Sequence, residues 1–117
     1  MSEEAKQEEE KTRCEKFLVE NLSKNIKILK LVDSIEALGC KLPKDFFVCR
    51  KCDDTVSGGF KTPTDGEVDY KPQVLLCQNN MLSTATFEHT IAHELVLFAA
   101  FVILFELEFS LLFNFYL

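Results

Sequence analysis

The sequence is short of basic residues, which limits the partners that it can bind. Its 13 Lys and Arg are outnumbered by 19 Asp and Glu, so the formal net charge is −6. A nucleic-acid-binding surface needs clustered basic residues that neutralise phosphates. The composition therefore argues against nucleic acid as the main partner.

The N-terminus lacks the apolar core of a secretory signal peptide. Residues 1–11 read MSEEAKQEEEK, an acidic run, whereas a mitochondrial presequence is rich in Arg and poor in acids. Because this segment is too polar to bury, we expect it to be a disordered acidic tail. If the cysteines are oxidised, we expect the chain to reach its compartment without a cleaved N-terminal address.

The cysteines are numerous for a chain of 117 residues, and their number is odd: Cys14, Cys40, Cys49, Cys52 and Cys77. Such density indicates either disulfides in an oxidising compartment or thiolate metal ligation. Cys14 and Cys40 reach each other only if the helical region between them folds back near residues 23–25. The pairing itself cannot be read from the sequence.

A second C-x-x-C motif is missing. Cys49 and Cys52 form the one present, so a zinc ribbon would need Cys77 and a further ligand. A redox motif is expected at a strand-to-helix junction, and the turn-rich surroundings do not supply one. We therefore expect these cysteines to serve as structural disulfides.

The apolar pattern divides the chain into helices and short strands. Helical spacing begins at Thr12 and ends at Gly39, which occupies the position of a C-terminal cap. Short apolar runs separated by turns then predict strands, with a hairpin between residues 56–60 and 74–77. A further helix is expected from Ser83 or the next residue to Val96.

Residues 97–117 differ in character from the rest. Of the 11 Phe residues, six lie in the last twenty positions. A bilayer span needs roughly 20 mainly apolar residues, and a charge near its centre costs about 2.5–3.5 kcal/mol. Glu106 and Glu108 therefore argue against a simple transmembrane helix. The alternatives are a buried helix at a partner interface, or an unevolved segment that aggregates.

His93 and Glu94 begin an H-E-x-x-H pattern, the signature of zinc peptidases. Two histidines four residues apart share one helix face and can hold zinc, while the Glu activates the metal-bound water. Here the fifth position is Leu97 instead of His. His89, four residues before His93, is a possible substitute ligand, although no Glu then lies in the usual position between the ligands.

Several motifs in order along residues 12–96 resemble one family. They are Arg13-Cys14-Glu15, Cys49-x-x-Cys52-Asp53, Val56-Ser57-Gly58-Gly59-Phe60, Leu76-Cys77-Gln78-Asn79-Asn80 and Thr90-Ile91-Ala92-His93-Glu94-Leu95-Val96. The chain resembles the mitochondrial inner membrane metalloproteases that mature a subunit of the ATP synthase membrane sector, some of which are called Ku-binding proteins.

The resemblance implies an α+β, zincin-like portion over residues 12–96, with helices, a small sheet and an active helix. It implies zinc as the cofactor, His93 as the first metal ligand and Glu94 as the catalytic base. It also implies import driven by cysteine oxidation, and residence on the intermembrane-space side of the inner membrane. The partners implied are the ATP synthase subunit or other inner-membrane proteins, with peripheral association with the membrane.

The departure from the family pattern begins at Leu97, which contributes no lone pair. Similarity is expected to end at Val96, leaving residues 97–117 as a divergent apolar tail, so we expect a truncated product of a retained intron or mis-spliced transcript. The residues favour a zinc endopeptidase by descent that is catalytically impaired in this chain. The alternatives are a non-catalytic assembly or binding module and a non-functional fragment.

Overall fold

The structure, a computed structural model, describes residues 2–53, 55–60, 73–81 and 83–114, with side chains as far as Leu104. The elements follow in the order α1 (Glu3–Lys24), α2 (Ile26–Ala37), β1 (Phe47–Arg50), β2 (Gly58–Phe60), β3 (Val74–Cys77) and α3 (Thr84–Asn114). Three helices and a small sheet confirm the α+β class.

The acidic N-terminal segment is helical, so the disorder expected for residues 1–11 is wrong over its described part. Helix α1 begins at Glu3, and the side-chain oxygen of Ser2 accepts a hydrogen bond of 3.1 Å from an N–H of the first turn. Acidic residues in that turn interact favourably with the helix dipole. Gln78 anchors the segment to the sheet by donating its side-chain N–H to the carbonyl oxygen of Gln7 at 3.1 Å.

The helical region is divided at Asn25, where the sequence left open either a break or a continuous helix. The Asn25 backbone N–H donates to the carbonyl oxygen of Asn21 at 3.2 Å and closes α1. Its side chain accepts from the N–H groups of Lys27 and Ile28 and opens α2. After α2, Gly39 has a φ of 93°, the left-handed conformation of the predicted C-terminal cap.

The sheet has three strands in the order β1-β3-β2. Strand β2 pairs antiparallel with β3, with Gly58 opposite Leu76, which confirms the predicted pairing of these two segments. Strand β1 pairs parallel with β3, and Phe47 lies opposite Val74. The connection within residues 61–72 lies outside the described residues.

Helix α3 continues past Val96, where the sequence predicted its end, and reaches Asn114. The residues that follow Val96 include no Gly or Pro that would stop a helix,. Phe98 and Val102 are buried in the main core with residues of both other helices and the sheet. The segment expected to be a separate tail therefore begins inside the packed domain.

Residues 84–104 of α3 are long and apolar enough by composition to cross a membrane. One side of this stretch is nevertheless packed in the protein, because α3 contacts α2, β2 and β3. Of its most apolar window, 39% is buried inside the protein.

Candidate active site

The helix that carries His93 and Glu94 begins with a side-chain cap. The backbone N–H of Thr86 donates to the hydroxyl oxygen of Ser83 at 3.1 Å, as expected from the capping residues in the sequence. Phe87, Ile91 and Leu95 then lie fully buried at helical spacing. Their burial fixes the rotation of α3, and therefore which side chains face solvent.

Opposite the core, α3 presents one exposed stripe. His89, His93 and Leu97 follow each other at intervals of four residues, and all three are exposed. The two imidazole rings stack at an interplanar angle of 23°, with 6.3 Å between their centroids. The predicted first ligand is thus accessible, and the position of the predicted second ligand presents a leucine.

Glu94 is buried on the flank of this stripe, with 6% of its surface exposed. Burial raises the pKa of its carboxyl group, and the neighbouring His93 acts in the opposite direction,. An elevated pKa suits a group that accepts and returns a proton. The position that the resemblance implies for a catalytic base is therefore buried, with a raised pKa.

Strand β2 approaches α3 closely beside Glu94, and Gly58 makes this approach possible. A Cβ atom at Gly58 would lie 2.7 Å from Cγ2 of Thr90, 3.0 Å from the carbonyl oxygen of Leu75 and 3.5 Å from Cγ of Glu94. Only glycine leaves room for a contact this tight. Gly58 belongs to the motif of residues 56–60, but no pattern in the sequence indicates its contact with the helix.

The two adjacent glycines of β2 differ in the space around them, so the same substitution should affect stability differently at each. Gly58→Ala should lower the free energy of unfolding by about 1–3 kcal/mol, because the added methyl group overpacks the helix–strand contact. Gly59→Ala is the matched control, since a Cβ there meets no atom within 4 Å. Urea denaturation of both variants measures the difference. Equal stability of the two variants would contradict the close approach, and Thr90→Ser should partly restore Gly58→Ala by removing the nearer clash.

The residues do not fit a three-ligand catalytic zinc site. His93 supplies one imidazole, and Leu97 supplies none where the second ligand is required,. Across the residues that the structure describes, no group of three or more His, Cys, Asp or Glu side chains is placed to hold a metal ion.

Four of the five cysteines form two disulfides, of which one links α1 to β1 and the other links the residues just after β1 to β3. Cys14 is bonded to Cys49 and Cys52 to Cys77. The expectation of structural disulfides is confirmed, whereas the considered pairing of Cys14 with Cys40 is wrong. Cys14 instead reaches across to β1, because α1 packs against that strand. The two cysteines of the C-x-x-C motif therefore bond to different distant partners.

The two asparagines after β3 have a structural role that no sequence pattern indicates. Asn79 accepts from the backbone N–H of Cys52 at 2.8 Å and donates to its carbonyl oxygen at 2.9 Å. Asn80 donates to the carbonyl oxygens of Asp53 and Val56. Together they fix the backbone of Cys52, Asp53 and Val56 between β1 and β2.

The sequence profile of the Peptidase M76 family matches residues 12–101. The human "Mitochondrial inner membrane protease ATP23 homolog" is 34% identical over 85 residues, covering 72% of this chain and 32% of the relative. The Danio rerio protein of that name is 39% identical over 67 residues, covering 56% and 24%. The Mus musculus protein is 32% identical over 84 residues, covering 71% and 38%.

This chain thus spans between a quarter and two fifths of the length of these relatives. No solved structure matches it significantly. The family match continues through residue 101, five positions beyond the end expected at Val96. Since the match covers most of the chain and includes the helix with His93 and Glu94, the chain belongs to the Peptidase M76 family.

Proposed function

We propose that this chain is a mitochondrial inner membrane member of the peptidase family that does not cleave peptide bonds. In this proposal its disulfide-bonded scaffold acts as a binding or assembly module for inner-membrane proteins. The observation that carries the proposal is Leu97, which takes the place of a zinc ligand on the exposed stripe of α3. A single imidazole at His93 does not hold a catalytic zinc ion against water.

The location on the intermembrane-space side rests on two lines of support. The matched relatives are named mitochondrial inner membrane proteases. The two disulfides of this chain suit an oxidising compartment and are rare in reducing ones. Both features agree with attachment to the outer face of the inner membrane.

The second candidate function is a zinc metalloendopeptidase that processes a subunit of the ATP synthase membrane sector. The observation in its favour is the placement of Glu94, which is buried with a raised pKa beside the accessible His93. Such a carboxylate has the properties of a general base. Among the residues that the structure describes, however, no site with three or more metal ligands lies beside it to activate water.

A peptidase assay distinguishes the two functions and provides the second prediction. Purified oxidised protein, incubated with zinc and either labelled casein or the ATP synthase subunit precursor, should show only background cleavage. Glu94→Gln should leave that background unchanged, because the carboxylate has no metal-bound water to deprotonate. Chelator-sensitive cleavage that Glu94→Gln abolishes would overturn the proposal.

Two further measurements sharpen this test. A gain of zinc-dependent cleavage in Leu97→His would support the proposal, because it would show that the missing ligand limits activity. Thermal denaturation separates a binding module from a non-functional fragment, since a module needs a stable fold. We expect one cooperative transition, and a non-cooperative melt of the oxidised protein would contradict the module.

A further inference from the structure

The exposed stripe of α3 carries a second pair of positions with metal-binding spacing, one helical turn before the pair of the peptidase motif. It consists of His89 and His93, the only 2 histidines of the chain. Both side chains are exposed, and their rings lie nearly parallel with centroids 6.3 Å apart. The motif pair would use positions 93 and 97, so this pair is a different set of ligands.

The geometry of the pair allows both imidazoles to bind one ion. Residues four apart on a helix lie on the same face. Metal–nitrogen bonds of about 2.0–2.1 Å require the two ring nitrogens to approach to about 3 Å of each other. Because His89 and His93 are exposed, their side chains can rotate to close this distance without displacing core residues.

We propose that His89 and His93 form a two-imidazole site for a divalent late transition-metal ion. Within the described part of the chain no third His, Cys, Asp or Glu joins them, so the remaining coordination positions are open to water or to a ligand from outside. Nitrogen sites of this kind bind Cu²⁺ more tightly than Zn²⁺. The site therefore binds copper more tightly than zinc when both are offered.

This site does not supply the chemistry of the peptidase motif. Glu94 follows both ligands and packs on the flank of the helix towards Gly58, where its Cγ lies 3.5 Å from the Cβ position of that glycine. The motif requires a Glu between its two ligands, whereas Glu94 comes after both His89 and His93. The inference thus concerns metal binding and goes beyond the proposed function.

Pulsed electron paramagnetic resonance of Cu²⁺ added at one equivalent tests the proposal, because it counts coordinated imidazoles. The experiment uses the full oxidised chain with Cys40→Ser, which removes any contribution from that residue. Two imidazoles are expected in this background, and one in His89→Ala or His93→Ala. In competition titrations, either variant should bind Cu²⁺ at least about tenfold more weakly than the parent, because only one of the two imidazoles remains to bind the ion.

The matched control keeps two imidazoles but separates them. Ala85 is exposed in the first turn of α3, and the double variant Ala85→His/His89→Ala places the histidines eight residues apart. At 1.5 Å per residue they are about 12 Å apart along the helix, too far to share one ion. This control should resemble the single variants. Circular dichroism of each variant verifies that α3 is intact.

Two outcomes would overturn the inference. One is a single coordinated imidazole in the parent protein, and the other is equal affinity in the parent and the separated control. Neither outcome bears on the peptidase assay. Conversely, metal binding accompanied by Glu94-dependent cleavage would refute the proposed loss of activity while leaving the two-imidazole site intact.

Discussion

Replacing Cys14 and Cys49 together by alanine is expected to lower the free energy of unfolding by about 4 kcal/mol. The disulfide closes a sequence separation of 35 residues, and a loop of this length restricts the unfolded chain by about that amount. Alanine avoids placing a hydroxyl group at the two buried positions. Chemical denaturation of the oxidised proteins, with circular dichroism as the readout, measures the change.

The second disulfide and the remaining cysteine provide the controls. Cys52 and Cys77 close a separation of 25 residues, so their joint replacement should cost about 3.5 kcal/mol. Cys40 belongs to neither of these disulfides but packs against the core, so Cys40→Ala should cost about 1 kcal/mol, the usual effect of a single substitution. If all three variants unfolded at the same denaturant concentration as the parent, the disulfides would not stabilise the fold.

Several boundaries of the helices and strands were accessible from sequence because local chemistry specifies them, although the helix over residues 3–11 and the continuation of α3 past Val96 were not. Gly39 marked the end of α2 through the conformation that a C-terminal cap requires,. Ser83 marked the start of α3 through the oxygen that an N-cap supplies,. The pairing of β2 with β3 followed from two short apolar segments separated by turn residues,.

The disulfide pairing was not accessible because it depends on contacts distant in sequence. The parallel pairing of β1 with β3 places Arg50 opposite Cys77, which brings the residues just after β1 near the end of β3. Cys52 lies there and bonds to Cys77. This strand register cannot be derived from the spacing of the cysteines or from their number.

The helix face that carries the candidate site could be predicted from the sequence, but the surroundings of Glu94 could not. The spacing of His93 and Leu97 placed both on one helix face, as observed. The burial of Glu94 depends instead on the approach of β2 at Gly58, a tertiary contact that no periodicity reveals. The raised pKa of this carboxyl could therefore be recognised only in the folded chain.

Phe98 lies beyond the point where similarity was expected to end, yet it joins α3 to the rest of the core. Its ring centroid is 5.0 Å from that of Phe46, before β1, and 5.8 Å from that of Phe60 in β2. Only 1% of Phe98 is exposed. Phe98→Ala should lower the free energy of unfolding by about 3–5 kcal/mol, because it removes apolar burial and leaves a cavity. Thermal and urea denaturation measure this loss.

Leu104→Ala is the control, because this leucine of the same segment is 63% exposed and its truncation should change the free energy by less than about 0.5 kcal/mol. A native stability of about 5–15 kcal/mol is typical, so Phe98→Ala removes a large share of it. A Phe98→Ala variant as stable as Leu104→Ala would show that residues after Val96 are not part of the packed domain. A large difference would show that the apolar segment begins inside the core, where the buried rings of Phe87 and Phe98 pack on either side of the turn that carries His93 and Glu94.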